Sequence, residues 1–131
     1  MQLNQVTLGV TDLDRSVAFY RALGLEQIVA DEDYARFACP DGESTLSLER
    51  VDAVPPSATT VFFECEDLDG AVAALESAGL GFEHPPLDQP WLWREARLRD
   101  PDGNRLCLFH AGENRLNPPW RLGNASIGRK P

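Results

Sequence analysis

The chain has 131 residues, a formal net charge of −9, and 43% hydrophobic and 25% charged residues. That length suits one domain, or two small halves sharing a core, and can bury roughly two thirds of its unfolded surface without staples. The negative balance excludes nucleic acid and anionic membrane as main partners, because phosphate repels such a surface; a cationic or neutral ligand is compatible with it. The three cysteines, Cys39, Cys65 and Cys107, are odd in number and include no Cys-x-x-Cys pair. Neither a disulfide framework nor a zinc knuckle is indicated, and reduced thiols are expected. The N-terminus opens directly into a strand pattern, with no signal peptide and no apolar run of about 18 residues, so a cytoplasmic protein away from membranes is expected.

Val6, Leu8 and Val10 alternate with Gln5, Thr7 and Gly9, which predicts a strand with one apolar face. Thr11-Asp12-Leu13-Asp14 starts a helix with a polar cap and acidic first turn. Leu13, Val17, Tyr20 and Leu23 continue it at helical spacing, and Gly24 stands at its left-handed end. Strands are predicted over 25–29, 34–39 and 45–50. Val51 to Ala58 is a linker, since Pro55 and Pro56 remove two ladder donors.

The pattern then restarts. Val61, Phe63 and Cys65 alternate with Thr60, Phe62 and Glu64, and Asp67-Leu68-Asp69 repeats Asp12-Leu13-Asp14. Leu68, Val72 and Leu75 give a second helix, and Gly79 follows it at the spacing of Gly24 in the first. A short strand is predicted over 81–83, a proline-rich loop over 84–90, and strands over 93–99 and 105–110. Between the last two lies Asp100-Pro101-Asp102-Gly103-Asn104, a strong turn signal: proline presets one backbone angle and glycine accepts a positive φ. Pro40-Asp41-Gly42, ahead of Thr45-Leu46-Ser47-Leu48-Glu49, is a weaker copy.

Both halves therefore read β-α-β-β-β, about 1–52 and 58–110, followed by a polar tail over 111–131. The tail is expected to lie irregularly on the surface, its far end mobile. Four strands and one helix cannot cover both faces of a sheet. Pairing the halves lets helices cover the outer faces while the others curl around a cavity.

Two stretches carry a family resemblance. One is Val6-Thr7-Leu8-Gly9-Val10-Thr11-Asp12-Leu13-Asp14-Arg15-Ser16-Val17-Ala18-Phe19-Tyr20; the other runs from Gln89-Pro90-Trp91-Leu92-Trp93-Arg94-Glu95 through Asp100-Pro101-Asp102-Gly103-Asn104. The chain resembles the vicinal oxygen chelate superfamily, which holds glyoxalase I, extradiol dioxygenases, fosfomycin-modifying enzymes and bleomycin resistance proteins; the second stretch is most similar to the last group. The resemblance implies an α+β fold of two βαβββ repeats, a curled, half-open mixed sheet with helices outside, in a single glyoxalase-like domain. It also implies a homodimer. Metal-dependent relatives carry His or Glu at four strand positions, which here correspond to Gln5, Ser47, Thr60 and Cys107. None is His, Asp or Glu, Ser and Thr are poor neutral ligands, and a buried thiol stays protonated. The expectation is a cavity without metal or other cofactor.

Strand parity places Gln5, Thr7, Thr45, Ser47, Glu49, Thr60, Phe62, Glu64, Arg105, Cys107 and Phe109 opposite the leucine and valine faces. They read as a polar and aromatic pocket lining, or else as a solvated sheet face. Trp91 and Trp93 are placed to stack on a planar ligand, or to pack in a core or dimer interface. Glu49 and Glu64 are placed to attract a cation, to act as a base, or simply to form a solvated rim. Arg94 and Glu95 follow Trp91 and Trp93 in the second resembling stretch, a region the resemblance places near the cavity mouth. His84 and His110 have no partner at metal-ligand spacing, and His110 has the parity of Leu106 and Leu108. Trp120, behind Pro118 and Pro119, is assigned to covering a neighbouring subunit.

The ligand-binding set is therefore Gln5, Thr7, Ser47, Glu49, Thr60, Phe62, Glu64, Trp91, Trp93, Cys107 and Phe109, with no catalytic residue assigned. Two functions fit. One is a binding protein that sequesters an aromatic or cationic small molecule, as antibiotic-resistance relatives do. The other is a glyoxalase-like lyase, isomerase or dioxygenase with a non-standard metal site or a metal-free acid–base mechanism.

Overall fold

The structure is a computed structural model that describes residues 1–123 and residue 131. The far part of the tail, expected to be mobile, lies outside the described residues. The chain is α+β, with two βαβββ modules and two four-stranded sheets. It divides into two compact units. One comprises Met1–Thr59 with Arg99–Arg105; the other comprises Thr60–Leu98 with Leu106–Pro131.

In the first unit, β1 (Gln5–Val10) leads to α1 (Leu13–Leu23), then β2 (Glu26–Ala30), β3 (Tyr34–Ala38) and β4 (Thr45–Arg50). The sheet order is β1-β4-β3-β2, with β1 parallel to β4 and the other pairs antiparallel. Helix α1 starts where the Asp12 side chain accepts from the Arg15 N–H at 3.1 Å. It stops at Gly24, whose φ of 109° only glycine adopts cheaply. Leu25 spends its N–H on the Tyr20 carbonyl at 3.1 Å, closing the helix, so β2 begins one residue later than the alternation predicts. Val10, Tyr20, Phe37, Leu46 and Leu48 are buried between helix and sheet.

The Asp-Pro-Asp-Gly-Asn turn belongs to this unit. The Asp100 carboxylate is 4% exposed and accepts from the Tyr20 hydroxyl at 2.8 Å, from the Asp102 and Asn104 N–H groups, and from Asn104 Nδ2. Asp102 accepts from the Thr11 N–H and hydroxyl, and Asn104 Nδ2 also donates to the Gly9 carbonyl at 3.1 Å. A buried carboxylate so fully paired is a structural anchor.

In the second unit, β5 (Thr60–Glu64) leads to α2 (Leu68–Ser77), then β6 (Leu87–Asp88), β7 (Arg94–Arg99), β8 (Arg105–His110) and a 3₁₀ turn at Gly112–Asn114. The order is β5-β8-β7-β6. Asp67 caps α2 by accepting from the Gly70 N–H at 3.1 Å. Leu68, Val72, Leu98, Leu106 and Leu108 form apolar core. The strand expected over 81–83 is not one: the Glu83 N–H bonds the Arg97 carbonyl at 2.8 Å without forming a ladder, and Pro85 and Pro86 precede the regular pairing at Leu87–Asp88.

Candidate functional site

The second unit presents an aromatic cleft of about 400 Å³. Its floor comes from alternation. Trp91, Trp93, Glu95 and Arg97 fall two residues apart through the turn before β7 and along that strand, and all four line the cleft with Phe62 of β5. Trp93 stacks on Phe109, ring centroids 4.6 Å apart and planes 23° apart. Phe62 meets both edge-on, at 5.9 and 5.5 Å. These are the offset and T-shaped geometries that ring quadrupoles favour. The far wall is the tail segment, through Asn114, Arg115, Pro118 and Trp120. Trp120, expected to cover a neighbouring subunit, lines the cleft of its own unit.

The buried carboxylate of Glu95, 2% exposed, is the polar centre. One oxygen accepts from the Trp91 indole N–H at 2.8 Å; the other accepts from an Arg97 N–H at 3.0 Å. The Arg97 guanidinium also lies 5.7 Å above the Phe62 ring. Glu64 has a different task. It accepts from the Ala111 and Gly112 N–H groups at 2.6 and 3.0 Å and pairs with Arg115 at 3.6 Å, which fixes where the tail departs.

Cys107 is fully buried, in a cluster with Phe109 and Ala111 against which Trp93 packs. Burial, and next the charge of Glu95, push its thiol pKa up to about 12. Thr60 is half-buried at the start of β5. Among the sequence-assigned residues, this unit thus brings together Phe62, Trp91, Trp93, Cys107 and Phe109. It adds Glu95 and Arg97, along with the tail residues. Glu95 had been expected near the cavity mouth, and parity from Trp91 and Trp93 was the signal that would have found Arg97; nothing in the tail's alternation marks Arg115.

The first unit carries a separate polar cluster on one sheet face. Gln5 Nε2 donates to the Ser47 hydroxyl at 2.6 Å and, more weakly, to that of Thr7; the Gln5 amide oxygen accepts from Thr45. The Ser47 and Tyr34 hydroxyls are 2.5 Å apart, and Arg36 Nε donates to the Tyr34 oxygen at 3.0 Å. The bond with Ser47, and secondarily Arg36, hold the Tyr34 phenol below its ordinary pKa. Gln5, Thr7 and Ser47, which share strand parity, meet in this cluster, while Tyr34 and Arg36 arrive on β3 without having been singled out. Glu49 follows on β4 as an exposed residue.

The four positions that hold metal in metal-dependent relatives do not suit a divalent ion. Gln5 is an amide engaged by Ser47 and Thr45, Ser47 and Thr60 are neutral hydroxyls, and Cys107 is a lone thiol whose burial disfavours the thiolate. Among the described residues, no three His, Cys, Asp or Glu side chains converge as a metal site.

Comparison with known proteins gives a consistent picture. The model of the glyoxalase/bleomycin resistance protein/dioxygenase superfamily matches residues 2–108. The uncharacterized protein YraH of Bacillus subtilis (strain 168) is 31% identical, the match covering 83% of this chain and 98% of that one. A crystal structure of a glyoxalase/bleomycin resistance protein/dioxygenase from Nocardioides is 26% identical, with a TM-score of 0.71 over 85% of this chain and 83% of that one. A bleomycin-binding protein crystallised with bleomycin is 25% identical, also at 0.71, over 84% of this chain and 98% of that one.

Proposed function

This chain belongs to the glyoxalase/bleomycin resistance protein/dioxygenase superfamily, and on that footing we propose that it binds a small planar aromatic molecule in the cleft of its second unit and holds it unchanged. The observation that carries this reading is the wall of Phe62, Trp91 and Trp93 around a cleft whose one carboxylate is already paired. Stacking surfaces are preorganised there, while neither Glu95 nor the protonated Cys107 is a ready base or nucleophile. The bleomycin-binding relative supports small-molecule binding on this fold. Quenching of tryptophan fluorescence by 2-naphthalenemethanol, together with a raised melting temperature, tests it. Saturable quenching lost in Trp93→Ala is expected; no saturable quenching and no melting shift would sink the idea.

A second reading rests on the Tyr34–Ser47–Gln5 chain in the first unit. A phenol with a lowered pKa beside a guanidinium is a candidate proton donor for a metal-free lyase or isomerase. Turnover of a carbonyl substrate, abolished by Tyr34→Phe and unaffected by chelator, would establish it. The resemblance alone supports a homodimer that confers drug tolerance by sequestration; light scattering of the purified chain checks the dimer. Among the described residues no helix is long and apolar enough to cross a membrane.

A further inference from the structure

The charges around the aromatic cleft specify its ligand further. Two guanidiniums, Arg97 and Arg115, line it against one carboxylate, Glu95, in a chain whose formal net charge is −9. Both oxygens of Glu95 are committed, one to the Trp91 indole and one to Arg97, and the side chain is 2% exposed. It is therefore placed to orient Arg97 from below rather than to greet a cation. Glu64, which pairs with Arg115 at 3.6 Å, is not itself a wall of the cleft and also serves the two N–H groups at the start of the tail. The Arg97 and Arg115 side chains remain 37% and 50% exposed. Arg97 is braced on two sides, by the Glu95 carboxylate and by the Phe62 ring 5.7 Å away.

We propose that the ligand is an aromatic acid: its ring lies against Phe62 and Trp93, and its oxyanion is held by Arg97 and Arg115. This rests on the aromatic-binding reading above and adds the charge of the ligand to it. Guanidinium N–H groups form short, charge-assisted bonds to carboxylate, sulfonate or phosphate, and a cleft with low-dielectric aromatic walls strengthens them. Glu95 is a positioning residue in this arrangement. A cationic aromatic meets the same two guanidiniums and is repelled.

The test uses one ring with three charges on the full-length protein: 2-naphthoate, 2-naphthalenemethanol and 2-naphthylmethylammonium, titrated by calorimetry at low and high salt. Naphthoate is expected to bind about tenfold or more tightly than the alcohol, with the ammonium weakest, and both the naphthoate advantage and the ammonium penalty shrink with salt while the alcohol changes little. Arg115→Met, on a half-exposed tail position where folding is least at risk, brings the naphthoate-to-alcohol ratio toward one; Arg97→Lys lowers it through loss of the planar fork. Equal binding of alcohol and naphthoate, or tightest binding of the ammonium, overturns the charge assignment and leaves aromatic binding standing. Absence of binding by all three overturns both.

Discussion

The chain has two tyrosines, Tyr20 and Tyr34, and their surroundings drive them apart. Burial first, then the Asp100 charge and hydrogen bond, push the Tyr20 phenol far above its ordinary pKa. Its neighbours Ser47 and Arg36 pull that of Tyr34 down. The unperturbed value is about 10. A spectrophotometric titration of the native protein should therefore show one phenol ionising below that value and the other only when the fold is lost. Tyr34→Phe should remove the early step. The sign for stability follows from Tyr20. Below pH ~10 the phenol is neutral in both folded and unfolded chains, so its contribution is whole. As pH climbs higher, the unfolded chain releases a proton that the folded chain retains, and stability falls. Tyr20→Phe should flatten that alkaline decline in urea melts while lowering stability at neutral pH by about 1–2 kcal/mol, because the Asp100 carboxylate loses a donor. An equally steep alkaline decline in the variant would place its cause elsewhere.

Elements were legible in the sequence wherever chemistry acts locally. The acid caps of both helices, Gly24, and the alternation of β1, β4, β5 and β8 follow from neighbours in sequence, and they stand within a residue or so of expectation. The turn ahead of β7 was not legible, because it depends on a residue that gives no local warning. Leu92, between the two cleft tryptophans, has a φ of 66°, a conformation that costs an L-residue with a side chain roughly 1–2 kcal/mol. Its N–H bonds the Gln89 carbonyl at 3.0 Å, closing a tight turn that delays β7 to Arg94. Leucine is not a turn former, so the alternation through Trp93 predicted a longer strand. The Leu92 side chain is about half-exposed, and its removal loses little packing. Leu92→Gly should stabilise the protein by up to about 1 kcal/mol, part of the relief being cancelled by the greater chain entropy of glycine. Urea midpoints check it; a destabilised variant would mean that Leu92 is held by packing rather than strained.

At the scale of the whole molecule, the repeat in the sequence marks two halves at about 1–52 and 58–110, and the first compact unit joins two separated stretches, Met1–Thr59 and Arg99–Arg105. The later stretch supplies groups the earlier one lacks. Tyr20 needs the Asp100 carboxylate, the Gly9 carbonyl takes Asn104, and Thr11 gives both its N–H and its hydroxyl to Asp102. Asp-Pro-Asp-Gly-Asn announces its own turn but not the side chains it will meet some ninety positions away, because a pairing at that separation leaves no periodicity to read. Arg115 on the cleft's far wall is equally unmarked: it is placed by its pairing with Glu64 and by the tail's bonds to that carboxylate, not by any pattern of its own. The first repeat is therefore not expected to fold alone. A fragment of Met1–Thr59 leaves a buried tyrosine hydroxyl without its acceptor, and each such loss costs about 1–3 kcal/mol, a large share of the stability of so small a chain. The fragment should lack a cooperative thermal transition by circular dichroism. Adding the peptide Arg99–Arg105 in trans should not restore one at micromolar concentration, since the ordering cost is no longer shared with the chain. A fragment that melts cooperatively by itself would show that the leucine and valine faces of α1 and its sheet suffice without the anchor.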